Sequence, residues 1–314
     1  IKAESITFTV SHEKKNEAYV MKDGQITVSK TTITGKEELE GAQLEVRDES
    51  NNVVDSWTST HVPHYVSGLE EGQTYTLIET TAPDGYVKAE SITFTVSNEN
   101  QEVVMKDAEV TIHKVDEETE EPVLDAEFTV FDEEGNLIDQ WITDGKAHAV
   151  SHLEAGKEYI LKETKTPRGY QTVTDTTFTV SGEEDLSLEI KEKPILVNIQ
   201  VNKVDAKTKQ LIKDKDFEFT LYKDPDCIYS MVAASSKDGS ATFKDLRYGT
   251  YYIKETKAPF GYHLSTEVKK VVIDENVKGD TYTFDYENTP IEIIQTGDPT
   301  NLLMIIGLGL VSMI

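Results

Sequence analysis

This 314-residue sequence predicts an all-β protein built from β-sandwich domains in tandem. Three observations predict it. Short runs rich in Thr, Val, Ile and Tyr, such as residues 92–96 and 178–180, alternate apolar and polar positions and are bounded by Gly, Asn, Asp and Pro. The chain repeats itself: Lys30 and Lys114 lie 84 residues apart, as do Glu79 and Glu163, and Trp57 and Trp141. No stretch carries a helical period of useful length, and only the last thirteen residues are compatible with a helix.

In chain order, residues 1–24 read as the closing strands of a preceding repeat. Residues 2–11 (KAESITFTVS) recur letter for letter at 88–97, and Tyr19, Met21 and Asp23 match Val103, Met105 and Asp107. Complete repeats follow at 25–107, 108–193 and 194–290, and a C-terminal segment occupies 291–314. The third repeat's lysine, Lys203, lies 89 residues after Lys114, and the extra length is assigned to loops. With no initiator Met and a start inside a repeat, the sequence is expected to be part of a longer array.

Within each repeat a lysine, a glutamate and a third amide or acid end an inward strand face. Side chains two apart on a strand share a face. Ile26 and Val28 therefore turn Lys30 inward, Tyr75 and Leu77 do so for Glu79, and Val103 and Met105 for Asp107. The second repeat gives Lys114, Glu163 and Glu192, and the third Lys203, Glu255 and Asn288. A buried amine, a buried acid and a side-chain carbonyl are the ingredients of a spontaneous intramolecular amide. Each charge read alone marks a strand leaving the core. Three matched trios favour the chemistry, except in the second repeat.

The net charge of −27 disfavours nucleic acid or an acidic membrane surface as partner. A single cysteine, Cys227, excludes an intramolecular disulfide framework and reads as a loop thiol, although domains this small usually need a staple. The acidic run at 116–121 lacks calcium-loop spacing, and the seven histidines, with His61, His64, His148 and His152 on loops or strand ends, lack ligand spacing. No metal, cofactor or catalytic triad is expected. The two tryptophans are read as packing residues.

The strings YTLIETTAPDGY (75–86), YILKETKTPRGY (159–170) and YYIKETKAPFGY (251–262) each set a strand and a Glu before a Pro-x-Gly reversal, predicted to begin directly after the Glu. With the VxKVD-type openings around Lys114 and Lys203, they resemble the B-type repeats of collagen-binding surface proteins, the SpaA-like, prealbumin-fold domains of Gram-positive adhesins and pilins. The resemblance covers residues 25 to about 290 and implies Ig-like or prealbumin-like sandwiches in a linear stalk. It also implies isopeptide bonds Lys30–Asp107, promoted by Glu79, and Lys203–Asn288, promoted by Glu255. Glu192 departs from the pattern, so Lys114, Glu163 and Glu192 are expected to form only a charge cluster, with Glu163 inactive. Asn198, assigned to the linker, is a poor substitute acceptor.

The chemistry explains the residue types. Burial pushes Lys toward the neutral amine and Glu toward the neutral acid. The amine attacks the carbonyl carbon of Asp or Asn while the protonated Glu steadies the developing oxyanion. This single folding event is not enzymatic turnover and needs no cofactor.

Residues 293–297 (IIQTG) resemble a sortase sorting motif, with Ile294 at the usual proline position and cleavage implied between Thr296 and Gly297. The uncharged run at 302–314 is too short to span a bilayer and reads as the start of a transient anchor. The implied partners are a sortase, a peptidoglycan or pilin amine, and host matrix through an upstream region. The expected location is extracellular and cell-wall anchored. The alternatives are a matrix- or glycan-binding module and a sortase-assembled pilin subunit, although no YPK-type pilin string occurs.

Overall fold

The computed structural model describes residues 24–236 and 238–292, and every regular element among them is a strand. Twenty-one strands form six sheets, two per repeat. The chain divides into two compact units between Pro194 and Ile195, so the first two repeats share one unit. The expected all-β sandwich class holds. Residues 1–23 and 293–314, with the closing strands, Thr296, Gly297 and the helix-compatible tail assigned to them, lie outside the described residues.

Domain 1 contains β1 (Ile26–Thr32), β2 (Gln43–Asp48), β3 (Val53–Thr58), β4 (His64–Val66), β5 (Thr74–Thr81), β6 (Ile92–Thr95) and β7 (Gln101–Asp107). One sheet runs β3-β2-β5-β6 and the other β4-β1-β7. The inward residues Ile26, Val28, Leu44, Val46, Leu77 and Met105 fill the space between them. Their alternation with polar neighbours is the reason each strand buries one face.

Domain 2 repeats this order with β8 (Val110–Asp116), β9 (Glu127–Asp132), β10 (Leu137–Ile142), β11 (His148–Ala149), β12 (Glu158–Lys165), β13 (Thr176–Thr179) and β14 (Leu186–Glu192). Domain 3 follows with β15 (Val197–Asp205), β16 (Phe217–Tyr222), β17 (Ser230–Ser236), β18 (Ser240–Leu246), β19 (Gly249–Lys257), β20 (Val268–Ile273) and β21 (Thr281–Asn288).

In each domain the first strand pairs in parallel with the last: β1 with β7, β8 with β14, and β15 with β21. Lys30 stands opposite Met105, Lys114 opposite Ile190 and Lys203 opposite Tyr286. The third residue of each trio lies two positions further along, on the same face.

Three local expectations change. β5, β12 and β19 run two residues past their glutamates before the reversal, because Thr81, Lys165 and Lys257 still pair with the neighbouring strand, across a register shift at Thr80, Thr164 and Thr256. Asn198 belongs to β15 instead of a linker, and its Oδ1 accepts the Asp245 amide. His113 lies inside β8, away from any loop or strand end.

Candidate functional site

Each trio closes into one buried cluster. Lys30, Glu79 and Asp107 are each 1% exposed; Lys203, Glu255 and Asn288 are 0%, 1% and 2% exposed. The glutamate comes from the four-stranded sheet, and the lysine and third residue from the facing sheet. Each cluster therefore sits between the layers, shielded from solvent.

In domain 3, Lys203 Nζ donates to Asn288 Oδ1 and lies 2.6 Å from Glu255 Oε1. Asn288 Nδ2 donates to both Glu255 oxygens, at 3.0 and 2.9 Å, and to the His263 carbonyl at 2.8 Å. The carboxamide is thus fixed with its oxygen toward the amine and its nitrogen toward the acid. The rings of Phe219 and Tyr286 lie 4.8 and 4.5 Å from the amine. Burial lowers the Lys203 pKa to about 8, against the raising effect of Glu255, so the neutral amine is accessible.

Domain 1 has the same plan with an acid as third residue. Lys30 Nζ donates to Asp107 Oδ1 and lies 2.9 Å from Glu79 Oε1, although the latter contact is not aligned as a hydrogen bond. Glu79 Oε1 and Asp107 Oδ2 are both buried without a hydrogen-bond partner. A proton shared between the carboxyl groups satisfies both. Burial raises Asp107 to about 7; Lys30 opposes the rise and Glu79 reinforces it.

Domain 2 brings Lys114, Glu163 and Glu192 together, with Lys114 Nζ 2.9 Å from Glu163 Oε1 and 2.7 Å from Glu192 Oε2. These are ion-pair distances without hydrogen-bond alignment: Lys114 Nζ, Glu163 Oε1 and both Glu192 oxygens are buried and unpartnered. Burial raises Glu192 to about 7 despite Lys114.

A clamp on each glutamate escaped the sequence reading. Glu79 Oε2 accepts the Ala89 amide at 2.7 Å, Glu163 Oε2 the Val173 amide at 2.9 Å, and Glu255 Oε2 the Ser265 amide at 2.8 Å. The donor is ten residues downstream every time, delivered by the Pro-x-Gly reversal. In domains 2 and 3 the reversal is also tied to the first strand, through Tyr170 Oη to Asp116 at 2.8 Å and Tyr262 Oη to Asp205 at 2.9 Å. The available signal was the joint recurrence of KVD and GY.

The tryptophans do more than fill space. Trp57 stacks on His64 and Trp141 on His148, both with centroids 4.1 Å apart. Those histidines meet Asp55 and Asp139 at 3.0 Å, linking β3 to β4 and β10 to β11. No group of metal-ligating residues occurs among the described residues. Cys227 is free and half-buried.

The model of the SpaA prealbumin-like fold domain matches residues 24–109, 108–194 and 197–290, one match for each two-sheet sandwich. The chain belongs to this family. SpaA domains thus occupy nearly all of the described chain, and each holds one cluster. The trypsin-resistant surface T6 protein of Streptococcus pyogenes serotype M6 is 31% identical over 112 residues, covering 36% of this chain and 19% of that protein. The TIE protein of Bacillus anthracis is 26% identical, with a TM-score of 0.48 over 85% of this chain and 51% of that one. BcpA, the major pilin subunit of Bacillus cereus, is 18% identical, with a TM-score of 0.30 over 84% and 99%. The chain thus spans about a fifth of the T6 protein and half of the TIE protein. Of these relatives, the T6 protein is named a surface protein and BcpA a major pilin subunit.

Proposed function

We propose that this chain is a stalk region of a cell-wall-anchored surface protein, with domains 1 and 3 stapled by self-formed isopeptide bonds. The observation that carries the proposal is the domain 3 cluster, where a buried amine meets a carboxamide oxygen and a clamped glutamate holds the carboxamide nitrogen. Neutral Lys203 attacks the Asn288 carbonyl carbon, forming the C–N bond and transiently an oxyanion. The amine's proton passes through Glu255 to Asn288 Nδ2, and the old C–N bond breaks to release ammonia. In domain 1, Lys30 attacks protonated Asp107, and the hydroxyl leaves as water after proton transfer through Glu79. Each event happens once per chain, without cofactor, so the protein is not an enzyme.

Closing loops of 77 and 85 residues stabilises each domain by about 4–5 kcal/mol on the loop-entropy model. Protection of this kind suits a relative named for resisting trypsin. Sortase transfer at Thr296, to a peptidoglycan or pilin amine, belongs to the proposal on the sequence of residues 293–297.

Intact mass tests the staples. The full chain is expected to lack one water and one ammonia relative to its sequence mass. Lys30→Ala should restore the water and Lys203→Ala the ammonia. A full sequence mass would overturn the proposal, and a second missing water would place a bond at Glu192.

A further inference from the structure

In domain 3 the clamp on Glu255 sits on a segment without regular structure. Residues 263–267, between the Pro-x-Gly reversal and β20, belong to no strand. This segment nevertheless supplies two of the contacts that fix the reacting groups. The Ser265 amide holds Glu255 Oε2 at 2.8 Å, and the His263 carbonyl holds Asn288 Nδ2 at 2.8 Å. His263 and Leu264 are exposed and Ser265 is half-buried. A surface connection of this kind keeps its place only through the contacts made for it.

Tyr286 makes those contacts. It lies on β21 opposite Lys203 in the parallel ladder and two residues before Asn288, so it shares their inward face. Tyr286 is 2% exposed and touches both halves of the site. Its ring lies 4.5 Å from Lys203 Nζ and packs edge-on against Phe219, with centroids 4.9 Å apart. Its hydroxyl donates to the Glu267 carbonyl at 2.7 Å and lies 3.1 Å from Ser265 Oγ. Ser265 Oγ in turn accepts the Glu267 amide at 3.2 Å, closing the turn that Tyr286 grips. One side chain therefore connects the wall around the amine to the segment that aims the acid and the leaving nitrogen.

The other two domains are built differently at these positions. Met105 stands opposite Lys30 and Ile190 opposite Lys114, and neither has a hydroxyl. The clamping residues there are Ala89 and Val173, which lack the Ser265 hydroxyl as well. In domain 1 the equivalent segment is held from domain 2, by the Lys88 amide on the Leu153 carbonyl at 2.8 Å and the Ala155 amide on the Lys88 carbonyl at 3.1 Å. In domain 2, Thr166 Oγ1 lies 3.1 Å from Glu163 Oε2 and 2.7 Å from Thr172 Oγ1. Tyrosine and serine thus occur together in the domain whose third residue is a carboxamide. That is where a nitrogen, and not an oxygen, has to be held while it leaves.

We infer that Tyr286 is the positioning residue of the domain 3 reaction, its ring bordering the Lys203 amine while its hydroxyl fixes residues 263–267. With that segment fixed, the Ser265 amide and the His263 carbonyl keep Glu255 and Asn288 Nδ2 aligned. The amine's proton can then pass through Glu255 to Nδ2 as ammonia leaves, and Tyr286 itself exchanges no proton. The inference rests on the staple proposed above for Lys203 and Asn288.

Tyr286→Phe, which keeps the ring and removes only the hydroxyl, tests it in the full chain. The chain is captured in guanidinium as it is synthesised, diluted into native buffer and followed by intact mass. Loss of ammonia should be at least ~10-fold slower than in the unsubstituted chain, while loss of water at Asp107 keeps its rate. The pH profile separates positioning from a loosened core. In both chains the rate should rise with the neutral amine and level off above about pH 8, with only the plateau lower in the variant. An unchanged plateau, or a rise displaced toward the ordinary lysine range with the plateau intact, would overturn the inference. Hydrogen exchange gives a second reading: in the variant the Ser265 amide should exchange faster while the β15–β21 ladder stays protected. Equal Ser265 protection in both chains would also overturn the inference. An unsubstituted chain that never loses ammonia would overturn the staple, and the inference with it.

Discussion

Domains 2 and 3 hold the same lysine and the same clamped glutamate against different third residues. In domain 3 the carboxamide offers one acceptor and two donors, and the amine, Glu255 and the His263 carbonyl use them. In domain 2 the third residue is acid-only and one methylene longer, and four buried atoms of the cluster are left without a hydrogen-bond partner. Domain 1 lies between them, with two such atoms and one proton able to serve both. Each unpartnered buried group costs about 1–3 kcal/mol. The cluster proposed to stay uncross-linked thus leaves the most buried polar atoms without a hydrogen-bond partner.

Equilibrium unfolding gives the largest test of that comparison. Lys203→Met removes the proposed domain 3 staple and should lower the stability of that domain by about 4–5 kcal/mol, read as a lower guanidinium midpoint. An unchanged domain 3 transition would put domains 2 and 3 in one class.

Glu192→Asn sharpens it from the other side. The shorter carboxamide places a carbonyl carbon where Asn288 has one, so the variant should lose one further ammonia and unfold at a higher midpoint. A variant that keeps its full sequence mass in domain 2 would mean that the Lys114 surroundings, and not Glu192, block the reaction.

The smallest effect is in pH. The Glu192 pKa rises from its ordinary 4.5 to about 7 in the folded chain, so the native state binds the extra proton. The Glu192 contribution to domain 2 stability is therefore full below pH 4.5, and on the order of 2–3 kcal/mol of it should be lost as the pH rises through 7. Glu192→Gln should flatten that slope. Asp107 is raised to about 7 too, so an equal slope in domain 1 would mean its carboxyl is still free.

The clusters were legible because strand alternation is a two-residue rule: it turned Lys30, Lys114 and Lys203 inward without knowledge of partners. The parallel pairing of first and last strands was not read from the sequence, since the trio marks which residues face inward and not which strands are neighbours. The Ala89, Val173 and Ser265 clamps were not legible, since a backbone amide has no letter of its own and its position depends on how the chain leaves a turn. The same applies to strands running past Glu79, where Thr80 and Thr81 read equally well as turn or strand. His64 and His148 looked idle because their partners, Trp57 with Asp55 and Trp141 with Asp139, lie on another strand at no diagnostic spacing. Asn198 was misplaced because proximity to a domain boundary suggested a connection, whereas β15 begins one residue earlier.

The parallel pairing of first and last strands has a consequence of its own. A pull on the entry end of β1 and the exit end of β7 slides one strand along its neighbour, as in a lap joint. All the ladder bonds from the Ile26–Gln101 pair to the Thr32–Asp107 pair then bear load together, whereas strands peeled apart from one end would break bonds singly. All three domains share this arrangement, so even the domain with Glu192 meets tension in shear.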